Sequence, residues 1–337
     1  MAPRAVILGC QGTELTPWEA DFLAATNPLG FILFARNCAT PVQVTDLVAA
    51  LRETVGRADA PVLIDQEGGR VQRLKPPEWR ATPPPGRFGD LALTDRPRAL
   101  EAVRLNAECL AAELAPLGIT VNCLPLLDLR LPGAHEIIGD RGFGADPDLV
   151  AALGRACCEG LLAGGILPVI KHMPGHGRAA VDSHAELPRV EAGLAALEAS
   201  DFAPFRALSD MPWAMTGHVV YEAVDPRRPA TISPTVIDQV IRGWIGFDGI
   251  LVSDDLSMAA LDGDLGARTA AALAAGCDIA LHCNGQRAEM EAVAAAAGPL
   301  SAQGMRRLAD ADTRIGPPPR AETAALATRR DALLADV

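Results

Sequence analysis

Lysine is nearly missing from this chain: of its 30 basic residues only Lys75 and Lys171 are lysine, the rest being arginine. A lysine kept in such a sequence marks a place that wants a compact ammonium with rotatable donors in place of a planar fork, and Lys171, at the end of an apolar run, is the one of interest. No run of Lys/Arg occurs and the formal net charge is -12, so the basic footprint required by nucleic acid or an anionic membrane is absent. No apolar stretch approaches the roughly 20 residues of a membrane span, and the run after Met1 is too short for a signal-peptide core. A cytoplasmic location is the expectation. The 8 cysteines, Cys10, Cys38, Cys109, Cys123, Cys157, Cys158, Cys277 and Cys283, include no C-x-x-C pair and mostly sit in apolar stretches. That pattern favours reduced core thiols over a disulfide or zinc framework. Also lacking is a glycine-rich phosphate fingerprint after the first apolar segment, where Gly9-Cys10-Gln11-Gly12 is only a faint echo.

What is present is a core-forming composition, 49% hydrophobic over 337 residues, and a recurring unit. Short apolar runs read as strands at Arg4 to Gly9, Leu29 to Phe34, Pro61 to Ile64, Thr120 to Leu124, Leu167 to Ile170, Trp213 to Thr216, Gly249 to Val252 and Cys277 to Leu281. Helical stretches alternate with them: one from Thr16-Pro17, then 41–55, 98–117, 147–163, 191–208, one capped by Ser233, 265–275 and 287–297, with a further helix over 322–334. Lys75 to Gly86 reads as a long proline-rich connection. Eight such units predict an α/β fold, a single-domain (β/α)8 barrel over 1–337 with closing C-terminal helices about 301–337. Polar residues gather after strands three to eight, which in a barrel form one rim of one cavity.

The densest polar stretch is Lys171-His172-Met173-Pro174-Gly175-His176-Gly177 through Asp182-Ser183-His184, which proline and glycine keep from continuing as helix. In Asp182-Ser183-His184 the carboxylate is near enough to hold one ring nitrogen, leaving the other for proton transfer. Asp254 follows the strand Ile250-Leu251-Val252-Ser253 and belongs on the cavity floor, while Asp255 must face the other way and reads as a structural partner. The rim candidates are Asp65, Arg73, Arg141, Lys171, His172, His176, Asp182, His184, His218, Asp254, Asp255 and His282, and together they suggest a nucleophile with acid/base help. A zinc site on His172 and His176 needs a helix that Pro174-Gly175 prevents, and a Schiff base on Lys171 lacks an apolar cage to lower its pKa. Neither a metal nor a cofactor is expected.

The ordered set Asp65-Gln66-Glu67-Gly68-Gly69-Arg70-Val71-Gln72-Arg73, Lys171 to Gly177, Asp182-Ser183-His184 and Ser253-Asp254-Asp255-Leu256-Ser257-Met258 closely resembles glycoside hydrolase family 3, specifically its bacterial β-N-acetylhexosaminidases, over roughly residues 5 to 290. Met173 and Gly142 stand where relatives often carry Phe and Ser. The resemblance implies a barrel enzyme that removes non-reducing terminal N-acetylglucosamine (GlcNAc) from muropeptides in peptidoglycan recycling, through a covalent glycosyl-aspartate. It implies Asp254 as nucleophile, His184 as general acid/base with Asp182 as its partner, and Asp65, Arg73, Arg141, Lys171 and His172 as binders of sugar hydroxyls. The partner is then a small glycan, with no nucleic acid or membrane, and the chain a monomer. Phosphorolysis, a broader β-glycosidase of the same family and a sugar-binding barrel without catalysis are the other readings.

Overall fold

In the computed structural model, which describes residues 2–133, 135–179, 181, 186–316 and 323–335, eight parallel strands close into a barrel. They are β1 Arg4–Gly9, β2 Pro28–Leu33, β3 Val62–Ile64, β4 Val121–Asn122, β5 Leu167–Met173, β6 Trp213–Thr216, β7 Ile250–Asp255 and β8 Ile279–His282. Each pairs with its sequence neighbours, and β8 returns to β1 through Ile7↔Leu281.

Alternation along the strands sorts their side chains into two layers. Val6, Leu8, Ile64, Ala214 and Leu251 join the layer under the helices, while Ile7, Leu63, Val169, Trp213, Met215, Ile250, Val252 and Leu281 fill the barrel. Inward residues sit level across the ladder, as in Leu63↔Val121↔Leu167 and Val169↔Trp213↔Ile250. The barrel is therefore a packed interior whose upper end alone is polar.

Helices cover the outside: α1 Pro17–Thr26, α2 Pro41–Val55, α3 Pro85–Ala92, α4 Arg96–Leu114, α5 Pro147–Ala163, α6 Leu194–Ala199, α7 Ala203–Ala207, α8 Leu265–Ala275, α9 Arg287–Ala296, α10 Ala302–Asp312 and α11 Thr323–Leu333. The expected start of α1 is a capping box, Thr16 Oγ1 accepting from the Glu19 N–H and Glu19 Oε2 from the Thr16 N–H. The lower end of the barrel is closed by α10, with Leu300 and Ala311 inside the interior cluster and the Leu300 N–H bonded to Pro3 O.

Four segments depart from the expectation. The proline-rich connection gives way at Pro85 to α3, since prolines at a helix start cost no hydrogen bond. The stretch 191–208 is broken into α6 and α7 around Ser200 and Asp201, whose side chains bond each other and Arg178. The helix capped by Ser233 is wound as a π-helix, Val236–Trp244, with the Ile245 N–H reaching Val240 O. Finally, β5 continues past Ile170 through Lys171 and His172 to Met173, so the polar residues of that segment stand on the strand itself.

Candidate active site

Two residues beyond the last inward apolar side chain of three strands, the chain places a charge: Leu63 is followed by Asp65, Val169 by Lys171 and Val252 by Asp254. The period of two carries each of them into the cavity at the C-terminal end of the barrel. That cavity, about 350 Å³, is lined by Asp65, Glu67, Arg70, Arg73, Arg141, Lys171, His172, His176, Asp254 and Asp255, with an apolar side of Ile32, Phe34, Met215, Met258, Leu281 and Cys283. His172 joins Lys171 on the wall because the ladder to β6 slips between Ile170 and Met173, breaking the alternation.

One wall is a chain of ion pairs. Lys171 Nζ lies 2.9 Å from Asp65 Oδ1 and 2.7 Å from Glu67 Oε1. Arg73 Nη2 holds the other Asp65 oxygen at 3.0 Å, and Arg141 grips Glu67 with two bonds of 2.8 and 2.9 Å. Burial pushes both carboxyls up, but Lys171 with Arg73 or Arg141 outweighs it, so Asp65 and Glu67 are held below the usual carboxylate range. Burial alone would lower Lys171, yet the same two carboxylates raise it, so the ammonium stays charged, with N–H capacity left for a ligand.

A second cluster starts from Asp128, after β4. Its carboxylate accepts from His172 Nδ1 at 2.6 Å, from the His172 backbone N–H and from the His176 N–H at 2.7 Å. Burial raises this carboxyl, His172 and the N–H groups more than offset it, and it settles at about 2. An ionised Asp128 puts the His172 ring proton on Nδ1 and leaves Nε2 as the remaining ring nitrogen. The His176 ring, desolvated between these elements, is pushed down to about 4.

Asp254 is partly exposed on the floor, its Oδ1 accepting the Asp255 N–H at 2.8 Å. Burial pushes its carboxyl up, but the His172 and His218 imidazoles, that N–H and Lys171 bring it below the ordinary range. Asp255 also borders the cavity, contrary to the expectation that it faces away. Its oxygens are nonetheless engaged by the Ser257 hydroxyl and N–H and the Cys283 N–H, which fixes the turn after β7. His218 lies between Thr231 Oγ1 and Asp255 O. His282 is buried, outside the cavity, 3.6 Å from Glu289.

The structure thus brings Asp65, Arg73, Arg141, Lys171, His172 and Asp254 around one space. Asp182 and His184 lie outside the described residues. Glu67 and Asp128 carry the geometry although sequence reasoning assigned neither a role. Glu67 repeats the inward step from Asp65, and Asp128 is the first acid after the fourth strand; both were signals. All 8 cysteines are free, and among the described residues no acid, thiol and imidazole cluster has the spacing of a metal site.

Fold and cavity together define a barrel enzyme with its site at the C-terminal face of the strands. The chain belongs to glycoside hydrolase family 3: the glycosyl hydrolase family 3 N terminal domain matches residues 16–316. A beta-hexosaminidase of Alkalilimnicola ehrlichii is 41% identical over 286 residues, 83% of this chain and 80% of that protein. One from Pseudomonas aeruginosa is 39% identical over 298 residues, 87% and 86% of the two chains. The solved structure of native NagZ from Neisseria gonorrhoeae superposes with a TM-score of 0.85 at 32% identity, covering 99% of this chain and 97% of that one. The same protein has been solved with N-trifluoroacetyl-D-glucosamine, with a TM-score of 0.87 and 31% identity, covering 99% and 98%.

Proposed function

We propose that the whole chain is one catalytic domain, a retaining β-N-acetylhexosaminidase that releases non-reducing terminal GlcNAc. The observation that carries this reading is the state of Asp254. Among the described carboxylates bordering the cavity, Asp65 and Glu67 are locked to cations and Asp255 to a turn, whereas Asp254 meets only a backbone N–H and stays ionised. A carboxylate so placed attacks the anomeric carbon, forming a glycosyl-aspartate that water resolves with net retention. The same inventory leaves no carboxyl poised as acid on this wall. That supports the Asp182–His184 pair as the proton donor to the leaving oxygen and then the base for water.

In this reading Asp65, Arg73, Arg141, Lys171 and His172 hold the sugar hydroxyls, with the Asp65 carboxylate accepting and the cations donating. The natural substrate is a GlcNAc-terminated muropeptide met in the cytoplasm during peptidoglycan recycling, and the chain acts as a monomer. No helix among the described residues is long and apolar enough to cross a membrane. The test is release of 4-nitrophenol from the β-N-acetylglucosaminide beside the β-glucoside, with the first-formed anomer read by NMR. Preference for the former and a β-first product support the proposal; glucoside preference or an α-first product rejects it. Repeating the assay in phosphate separates hydrolysis from phosphorolysis, which requires a sugar 1-phosphate.

A further inference from the structure

Glu67 is fully enclosed, its side chain showing no exposure, yet it is ionised. Both oxygens are engaged by cations: Oε1 by Lys171 Nζ and Arg141 Nη2, Oε2 by Arg141 Nε. With its side chain unexposed, Glu67 offers no open lone pair to a sugar hydroxyl. Replacing a buried ion triad by apolar groups is often neutral or favourable for stability, so stability alone is a poor reason for such an arrangement.

We propose that Glu67 is the positioning residue of the sugar pocket, which aims two separate donors, Lys171 from β5 and Arg141 from the segment after β4, at the same ligand. The proposal rests on the function assigned above. Its logic is a donor count. Lys171 donates one N–H to Asp65 and ion-pairs with Glu67 Oε1 at 2.7 Å, and Arg141 gives Nε and Nη2 to Glu67 and one Nη1 hydrogen to Ile137 O. Two guanidinium N–H groups remain, together with at least one ammonium N–H, on cations that Glu67 holds in place. Glu67 is itself rigidly placed. Its N–H bonds Val71 O at 2.9 Å, and the preceding Gln66 is clamped by Asn122 and by the Arg73 and Leu74 N–H groups. Gly68 follows at φ +107, where a Cβ would stand 2.3 Å from Pro83 O, so the turn admits no larger residue.

Glu67→Gln preserves shape and removes the charge that holds both cations. The test compares wild type and Glu67→Gln on the 4-nitrophenyl N-acetylglucosaminide and its 3-, 4- and 6-deoxy analogues, together with calorimetric binding of free GlcNAc. The expected result is a ~10²-fold loss of kcat/KM on the parent substrate, and a collapse to under about 3-fold of the penalty that wild type shows for at least one missing hydroxyl. Weaker GlcNAc binding accompanies it. A loss that leaves every deoxy penalty at its wild-type value, or no loss at all, overturns the positioning role. If Glu67→Gln does not fold, Glu67→Asp, which keeps the charge but withdraws it by one methylene, is read by the same ratios. A wild-type enzyme that fails on the parent substrate while still binding GlcNAc counts against the assigned activity. The positioning role is then judged on the binding of GlcNAc and its deoxy forms, by the same ratios.

Discussion

Each reacting or binding side chain owes its state to a named neighbour, and substitutions should report that dependence. Asp254→Ala removes the proposed nucleophile and is expected to abolish turnover to within the assay background. His184→Ala is expected to lose ~10²- to 10⁴-fold, with partial recovery on substrates whose leaving group needs no proton; unchanged kinetics would remove it from the mechanism. Asp128→Asn leaves His172 without the anion that places its proton, and kcat/KM should fall by ~10- to 100-fold, the scale of a lost charged hydrogen bond. His176 has a consequence for stability. Its folded pKa of about 4 lies below the ordinary 6.5, so between those values the unfolded chain binds a proton that the folded one does not. Stability therefore falls as pH is lowered from 6.5 towards 4, by ~3 kcal/mol from this ring, and the lowered His218 adds in the same direction. A thermal-melting series over that window should be flatter for His176→Gln; an identical slope would exclude the ring as its source.

At the scale of elements, the loop carrying Arg141 is seated by α3. Gly89 of α3 approaches so closely that a Cβ there would lie 1.5 Å from Phe143 O, and at Gly86 one would meet Asp140 O at 3.0 Å. Gly89→Ala should therefore push α3 from this loop, costing ~1–3 kcal/mol in denaturant melts and raising KM more than it lowers kcat. This arrangement was not legible in the sequence, where Lys75 to Gly86 reads as a connection and nothing marks the contact partner 54 positions on. The strands were legible because each is an apolar run with a polar end, and β1, α2, α5 and α8 have the bounds expected from the sequence. The end of β5 was not, since Lys171 and His172 carry no strand propensity of their own and are held by Asp65, Glu67 and Asp128 from the segments after β3 and β4. Residues that face a site alone announce themselves by type. Glu67 and Asp128 act through partners 74 and 44 positions away, and no spacing within one chain encodes such pairs.

Across the whole molecule the two ends of the barrel divide the work. The upper end carries the candidate site; the lower end is tied by Asp278 between Arg242 and Arg307, with Arg307 also on Asp248. Arg307→Ala leaves Asp278 short of a partner and should cost ~3–5 kcal/mol in unfolding experiments, with kcat/KM at 25 °C unchanged; a comparable loss of activity would contradict the separation. The account as a whole stands on Asp254 becoming covalently joined to the sugar, and this is read most directly by intact-protein mass spectrometry after incubation with a fluorinated N-acetylglucosaminyl fluoride that slows breakdown of the intermediate. One sugar should add to the chain, map to the peptide containing Asp254 and be absent from Asp254→Ala. A sugar found on any other residue, or turnover giving an inverted product with no adduct, would contradict it.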